Sequence, residues 1–287
     1  MEKYFVEDLA VPEERIQRLL GPKNNYDTSA LETYSIPSRE NILSVLHSLI
    51  DNDKIGDDDP IIIFVAGHGL RYLVSYEDSD SDHEHDCESP LKYMEALCPI
   101  DRGTPGSNDN PIPDISDWEL NTIFSVLSRA KGHRITVLLD CCHAGSITRT
   151  YSGEQTAPLP NDTSLQDMLS AGEKGLTKLL GCETVFSEDW VPDMDSHVVI
   201  AACREEERAN SWHQKKDGTK VARGVFTSLL IETLRSNVLK EGATYVNLVK
   251  AVCKALRRHQ LRCRYQLQTQ TPNVAGRRQD MRLWYQD

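Results

Sequence analysis

The sequence predicts an α/β sandwich with a mainly parallel central sheet. Three apolar runs, IIIFVA at 61–66, ITVLLD at 135–140 and VVIAA at 198–202, are rich in β-branched residues and too short for buried helices. Continuous apolar character marks strands covered on both faces, as in parallel sheets. Segments with apolar residues at helical period lie between them, and alternating strands and helices build layered α/β domains.

Taken in order, residues 11–20 space Ile16, Leu19 and Leu20 as a helix or short strand would. Ser38 caps a helix over 38–49, whose stripe is Ile42, Leu43, Val45, Leu46 and Leu49. The run at 61–66 stops at Gly67-His68-Gly69. Residues 77–89 are low-complexity and acidic, a solvated loop inserted into the domain. A turn at 111–114 precedes a helix over 118–130 with Leu120, Ile123, Phe124 and Leu127 on one face. The strand at 135–140 leads into Cys141, Cys142, His143, Ala144 and Gly145. Residues 146–195 are polar and weakly periodic and read as a flexible connection. Helices at 226–234 and 246–256 follow the third strand. No internal repeat is visible, so the whole chain, 1–287, reads as one domain.

A net charge of −12 argues against a general nucleic-acid binder, because phosphate repulsion would have to be overcome locally. No stretch is apolar for long enough to cross a bilayer, and the N-terminus lacks a signal-peptide core. The eight cysteines are scattered and form no CxxC pair, which suggests a reduced, cytoplasmic protein and no zinc ribbon.

Chemistry concentrates where two of the strands end. Reacting groups in open α/β sheets gather beyond the carboxyl ends of strands, so His68 and Cys142 are placed to meet. A thiolate attacks carbonyl carbon far better than a thiol, and an imidazole takes the proton and returns it to the leaving amine. The backbone N–H groups of Gly69 and Cys142 are candidate oxyanion donors. A lone histidine at a strand end is more often structural, and a lone cysteine is commonly a small hydrophobe. The pairing of the two motifs is what favours catalysis.

FVAGHG and LLDCCHAG resemble the two signature motifs of metacaspases, a family of caspase-like cysteine peptidases, and further matches run over roughly 5–285. These include the stretches around Ser38, Ala96, Ile112, His197, Gly224, Thr244 and Gln270. The resemblance implies a caspase-like three-layer α/β/α sandwich, with Cys142 rather than Cys141 as nucleophile and His68 as base. It implies cleavage of peptides after Arg or Lys, with Asp140 in an acidic S1 pocket. It also implies calcium as an activator, with Asp101 at one ligand position and Asp114 and Asp117 where others would fall; the equal alternative is that these acids are turn formers and helix caps. No cofactor is needed for the chemistry itself, and a monomer is expected.

Two features depart from the family pattern. Ala66 stands where the family has a pocket serine, and no apolar strand with a Gly-Cys-x-x-Asp-Ala turn precedes the first helix. That strand lies beside the His68 strand in the family's sheet, so its lack would leave unpaired backbone there. The alternative reading is therefore an inactive caspase-fold interaction module. Lys174 and Lys178 are candidate self-cleavage points within the connection. The cluster His83, Glu84, His85, Asp86 and Cys87 reads as solvated loop rather than a metal site, and the arginines at 257, 258, 262 and 264 as a charged helix end.

Overall fold

A computed structural model describes residues 1–21, 35–74, 92–106, 109–141, 164–180, 191–204, 207, 209–216, 219–262 and 269–285. The elements in chain order are α1 (Glu2–Glu7), α2 (Arg39–Ile50), β1 (Ile61–Val74), β2 (Lys92–Cys98), β3 (Ile115–Ser116), α3 (Asp117–Lys131), β4 (Ile135–Cys141), α4 (Leu165–Leu180), β5 (Val198–Ala201), β6 (Ser211–Lys216), β7 (Thr219–Gly224), α5 (Val225–Arg235), α6 (Tyr245–Arg262) and β8 (Asn273–Ala275). The main sheet has the order β3-β2-β1-β4-β5-β8, and β6-β7 form a separate hairpin. β1, β4 and β5 run parallel at its centre, while β2 and β8 are antiparallel to their neighbours.

Alternation along the central strands produces two apolar cores. Ile61, Ile135 and Val137 face one side and pack against Leu46 of α2, Ile123 and Leu127 of α3, and Met168 and Leu176 of α4. Leu138, Val198 and Ile200 face the other side, against Phe226 and Leu230 of α5 and Leu248 and Val252 of α6. This is the three-layer caspase-like sandwich expected from the sequence. Each fully buried aliphatic side chain contributes about 1.5–3 kcal/mol by leaving water.

The helix ends follow local chemistry. Ser38 accepts from the Asn41 N–H at 3.2 Å, and Ser116 accepts from the Glu119 N–H at 3.1 Å. α3 closes on Gly132 at φ +87°, where a side chain would run into Asp58. α1, not foreseen from the sequence, buries Tyr4 against the α5/α6 face beside Trp284. Arg235 of α5 holds it there through Glu7 and Asp8.

Three expectations change. β1 does not stop at Gly67-His68-Gly69 but continues to Val74, pairing with β4 over 61–67 and with β2 over 68–74. The glycines mark a change of partner within one strand, not a turn. The span 146–195, read as a flexible connection, contains the α4 helix, whose Met168 and Leu176 are fully buried. Residues 11–20 hold only a short 3-10 turn at Glu13–Arg15 and a single bridge at Leu19. The acidic insertion at 77–89 lies outside the described residues.

Among the described residues, no strand pairs with 61–67 on the side away from β4. The consequence is visible in burial: Ile135, Val137 and Leu138 of β4 are sealed, whereas Ile62 through Val65 of β1 stay partly exposed. The edge faces a cavity of about 1990 Å³ whose walls include Ile16, Leu19, Leu46, Leu49 and Phe64.

A buried ion pair joins α2 to α3 beneath this core. Arg39 Nη2 donates to both oxygens of Glu119 at 2.8 and 3.0 Å, and the Glu119 side chain is only 1% exposed. Burial pushes the Glu119 carboxyl up to about 7 against the opposing pull of Arg39. Removing one partner strands the other charge in a dry interior. Arg39→Leu should therefore lower unfolding free energy by about 3–5 kcal/mol in urea titrations, and the double variant Arg39→Leu/Glu119→Leu should recover most of that loss.

Candidate active site

The candidate base is positioned by sheet register. Gly67 of β1 lies opposite Cys141 of β4, and His68, one residue on, lies opposite Cys98 of β2. His68 is exposed, and it lines the cavity beside the first half of β1. Gly69 is buried and faces Leu97 in the β1–β2 ladder. Ala66, which replaces the family's serine, is exposed next to Gly67.

Cys142 lies outside the described residues; its neighbour Cys141 ends β4. The other cysteines can be judged directly. Cys141 is 2% exposed, and its carbonyl accepts from the Cys203 thiol at 3.7 Å. Cys203 is itself 1% exposed. Burial, then the nearby Asp114 charge, pushes the Cys98 thiol far above its ordinary range, and burial also raises Cys253. None of these four presents the exposed thiol that a nucleophile requires. All four are free.

Asp140 is the penultimate residue of β4 and is 8% exposed. Its Oδ2 accepts from the Thr227 hydroxyl and from the Thr227 N–H, the latter at 3.2 Å. Burial raises its carboxyl, and the two Thr227 hydrogen bonds oppose that rise. Sequence reasoning noticed the Gly224-Val225-Phe226-Thr227 stretch only as a family match and missed Thr227 as a partner of Asp140. The two lie 87 residues apart, and no local pattern links them.

Lys174 and Lys178 are exposed but stand inside α4. Proteases favour irregular exposed chain, so cleavage at either would need local unwinding of that helix. The cluster at 83–87 lies outside the described residues.

Residues 1–150 match the metacaspase, peptidase C14 domain family. Metacaspase-1 of Cryptococcus neoformans is 27% identical over 177 residues, covering 60% of this chain and 34% of that protein. Metacaspase-3 of Trypanosoma cruzi is 32% identical over 114 residues, covering 39% and 25% respectively. A Trypanosoma brucei protein named inactive metacaspase-4 is 30% identical over 111 residues, covering 39% and 26%. The chain thus spans about a quarter to a third of the length of these relatives.

The three acids that the family resemblance suggests for calcium do not form one site. Asp114 is fully buried, and its oxygens accept from Arg102 at 2.8 and 3.1 Å and from the Tyr72 hydroxyl at 2.7 Å. Asp101 accepts from the Arg39 N–H at 2.9 Å, at the start of α2. Asp117 accepts from the Trp118 N–H at 2.8 Å in the first turn of α3. Calcium needs six to eight oxygens converging on one point, and no such group of side chains occurs among the described residues. The guanidinium of Arg102 already supplies the positive charge at Asp114. Asp114→Asn should lower the melting temperature, because Arg102 would be left buried without its carboxylate. Any shift that added calcium produces in a thermal melt should be the same in the variant as in the parent chain.

Proposed function

The chain belongs to the metacaspase family, and from that membership we propose that it is a cysteine endopeptidase in which His68 and Cys142 form the dyad and the scissile bond follows Arg or Lys. The supporting observation is the β1–β4 register, which sets Gly67 opposite Cys141. In the sequence His68 directly follows Gly67 and Cys142 directly follows Cys141.

In this reading the Cys142 thiol gives its proton to His68, and the thiolate adds to the carbonyl carbon of the substrate. The N–H groups of Gly69 and Cys142 hold the oxyanion. The tetrahedral adduct collapses with cleavage of the C–N bond, and the proton on His68 goes to the departing amine. Water then gives a proton to His68 while its oxygen attacks the thioester. The acid product leaves, and the thiol is restored. Asp140 receives the cationic P1 side chain. The substrates are peptides or proteins. Calcium is not routed through Asp101, Asp114 and Asp117. A cytoplasmic monomer that binds no nucleic acid completes the proposal, and no described helix is long and apolar enough to cross a membrane.

A second reading, an inactive caspase-fold interaction module, draws on the edge at 61–67, which no strand among the described residues pairs, and on Ala66. The name of the Trypanosoma brucei relative shows that members without activity occur. Hydrolysis of fluorogenic peptides ending in Arg, Lys or Asp separates the two. The peptidase should cut after Arg and Lys, lose turnover in Cys142→Ala, and lose about 10²–10⁴-fold in His68→Ala. A folded sample without turnover would favour the module.

A further inference from the structure

The N-terminus of α5 has no cap from its own chain segment. Gly224 occupies the N-cap position without a side-chain hydrogen bond. The first N–H groups of a helix lack intrahelical partners, and here the Asp140 carboxylate arrives from β4 to accept from Thr227. The Thr227 hydroxyl donates to the same oxygen, Oδ2. Gly224 leaves the room for this, since a Cβ there would overlap Oδ2. Negative charge at a helix N-terminus is further favoured by the aligned peptide dipoles. Two donors of one residue, Thr227, therefore converge on one oxygen of a carboxylate that stands two residues before Cys142 in the sequence.

We propose that Thr227 is a specificity-determining positioning residue, whose hydroxyl and amide fix the Asp140 carboxylate in the orientation and charge state that a basic P1 side chain requires. The inference rests on the peptidase reading above and adds a residue to its S1 pocket. Its physical logic is a balance. Asp140 is nearly buried, and burial alone favours the neutral acid, which would not attract a cation. The two hydrogen bonds from Thr227 oppose that tendency. Without the hydroxyl, ionisation of Asp140 moves to higher pH, and the carboxylate loses the contact that fixes its rotamer.

The test compares two peptides that differ only at P1, one with arginine and one with citrulline, which has nearly the same shape without the charge. Thr227→Val keeps the backbone amide and removes the hydroxyl; Thr227→Ala serves as a second variant should valine not fold. The ratio of kcat/KM for arginine over citrulline should fall by about tenfold or more, the scale of one charge-assisted hydrogen bond. The acid limb of the arginine profile should move to higher pH, and Thr227→Ser should restore both. A variant that slows both peptides by the same factor, with the acid limb unmoved, would overturn the proposal and leave Thr227 with a structural role only. If the parent chain itself did not prefer arginine, the P1 reading beneath the proposal would fail, an outcome distinct from a variant that keeps the preference.

Discussion

The parallel pairing of β1 with β4 is the constraint from which the candidate site follows. Seven residue pairs, from Ile61 opposite Ile135 to Gly67 opposite Cys141, fix the relative height of the two strands. Because side chains alternate with period two, a slip of one residue would turn each apolar residue toward the wrong layer. The two cores therefore enforce the register. Ile61 and Ile63 must meet the α2/α3/α4 side while Ile62 and Phe64 meet the α5/α6 side. The height of His68 relative to the end of β4 is inherited from hydrophobic packing, not from any interaction of the histidine itself.

Around that register the charges are arranged to hold elements together. Arg39–Glu119 ties α2 to α3, Arg102–Asp114 ties the segment after β2 to the one before β3, and Asp140–Thr227 ties β4 to α5. Each places a carboxylate in a dry setting, where an unpaired charge would be costly. Of the acids singled out from the sequence, Asp114 proves to be the partner of an arginine, and Asp101 and Asp117 receive helix-start amides. Acid residues in a sequence look alike whether their role is to bind a cation or to hold a neighbour, and only the cation beside them separates the two.

Much of the fold was legible because the central strands announce themselves. The β-branched runs at 61–66, 135–140 and 198–202 correspond to the start of β1, to β4 and to β5. The capped helix at α2 was equally clear, since Ser38 and the Ile42–Leu46–Leu49 stripe coincide. α4 was missed although Leu165, Met168, Leu169, Leu176 and Leu179 keep helical spacing. The polar residues flanking it diluted the pattern over the longer span. The β6–β7 hairpin also had a signal, because the sequence carries Asp-Gly between 216 and 219, a dipeptide favoured in two-residue hairpin loops. The continuation of β1 past the glycines was not legible, because glycine is the usual mark of a turn. Nor was Thr227, whose role exists only once the chain has brought α5 to the end of β4.

The change of partner along β1 has a mechanical meaning. Its first half is stitched to β4, β5 and β8, and its second half to β2 and β3. The six-stranded sheet is thus two half-sheets joined through one strand, with the seam between Gly67 and His68. Any twist of one half against the other is concentrated where the backbone has least side chain to resist it. His68 is stitched to one half, and β4, which ends at Cys141, belongs to the other. His68 thus belongs to the β2 side of the seam and Cys141 to the β4 side.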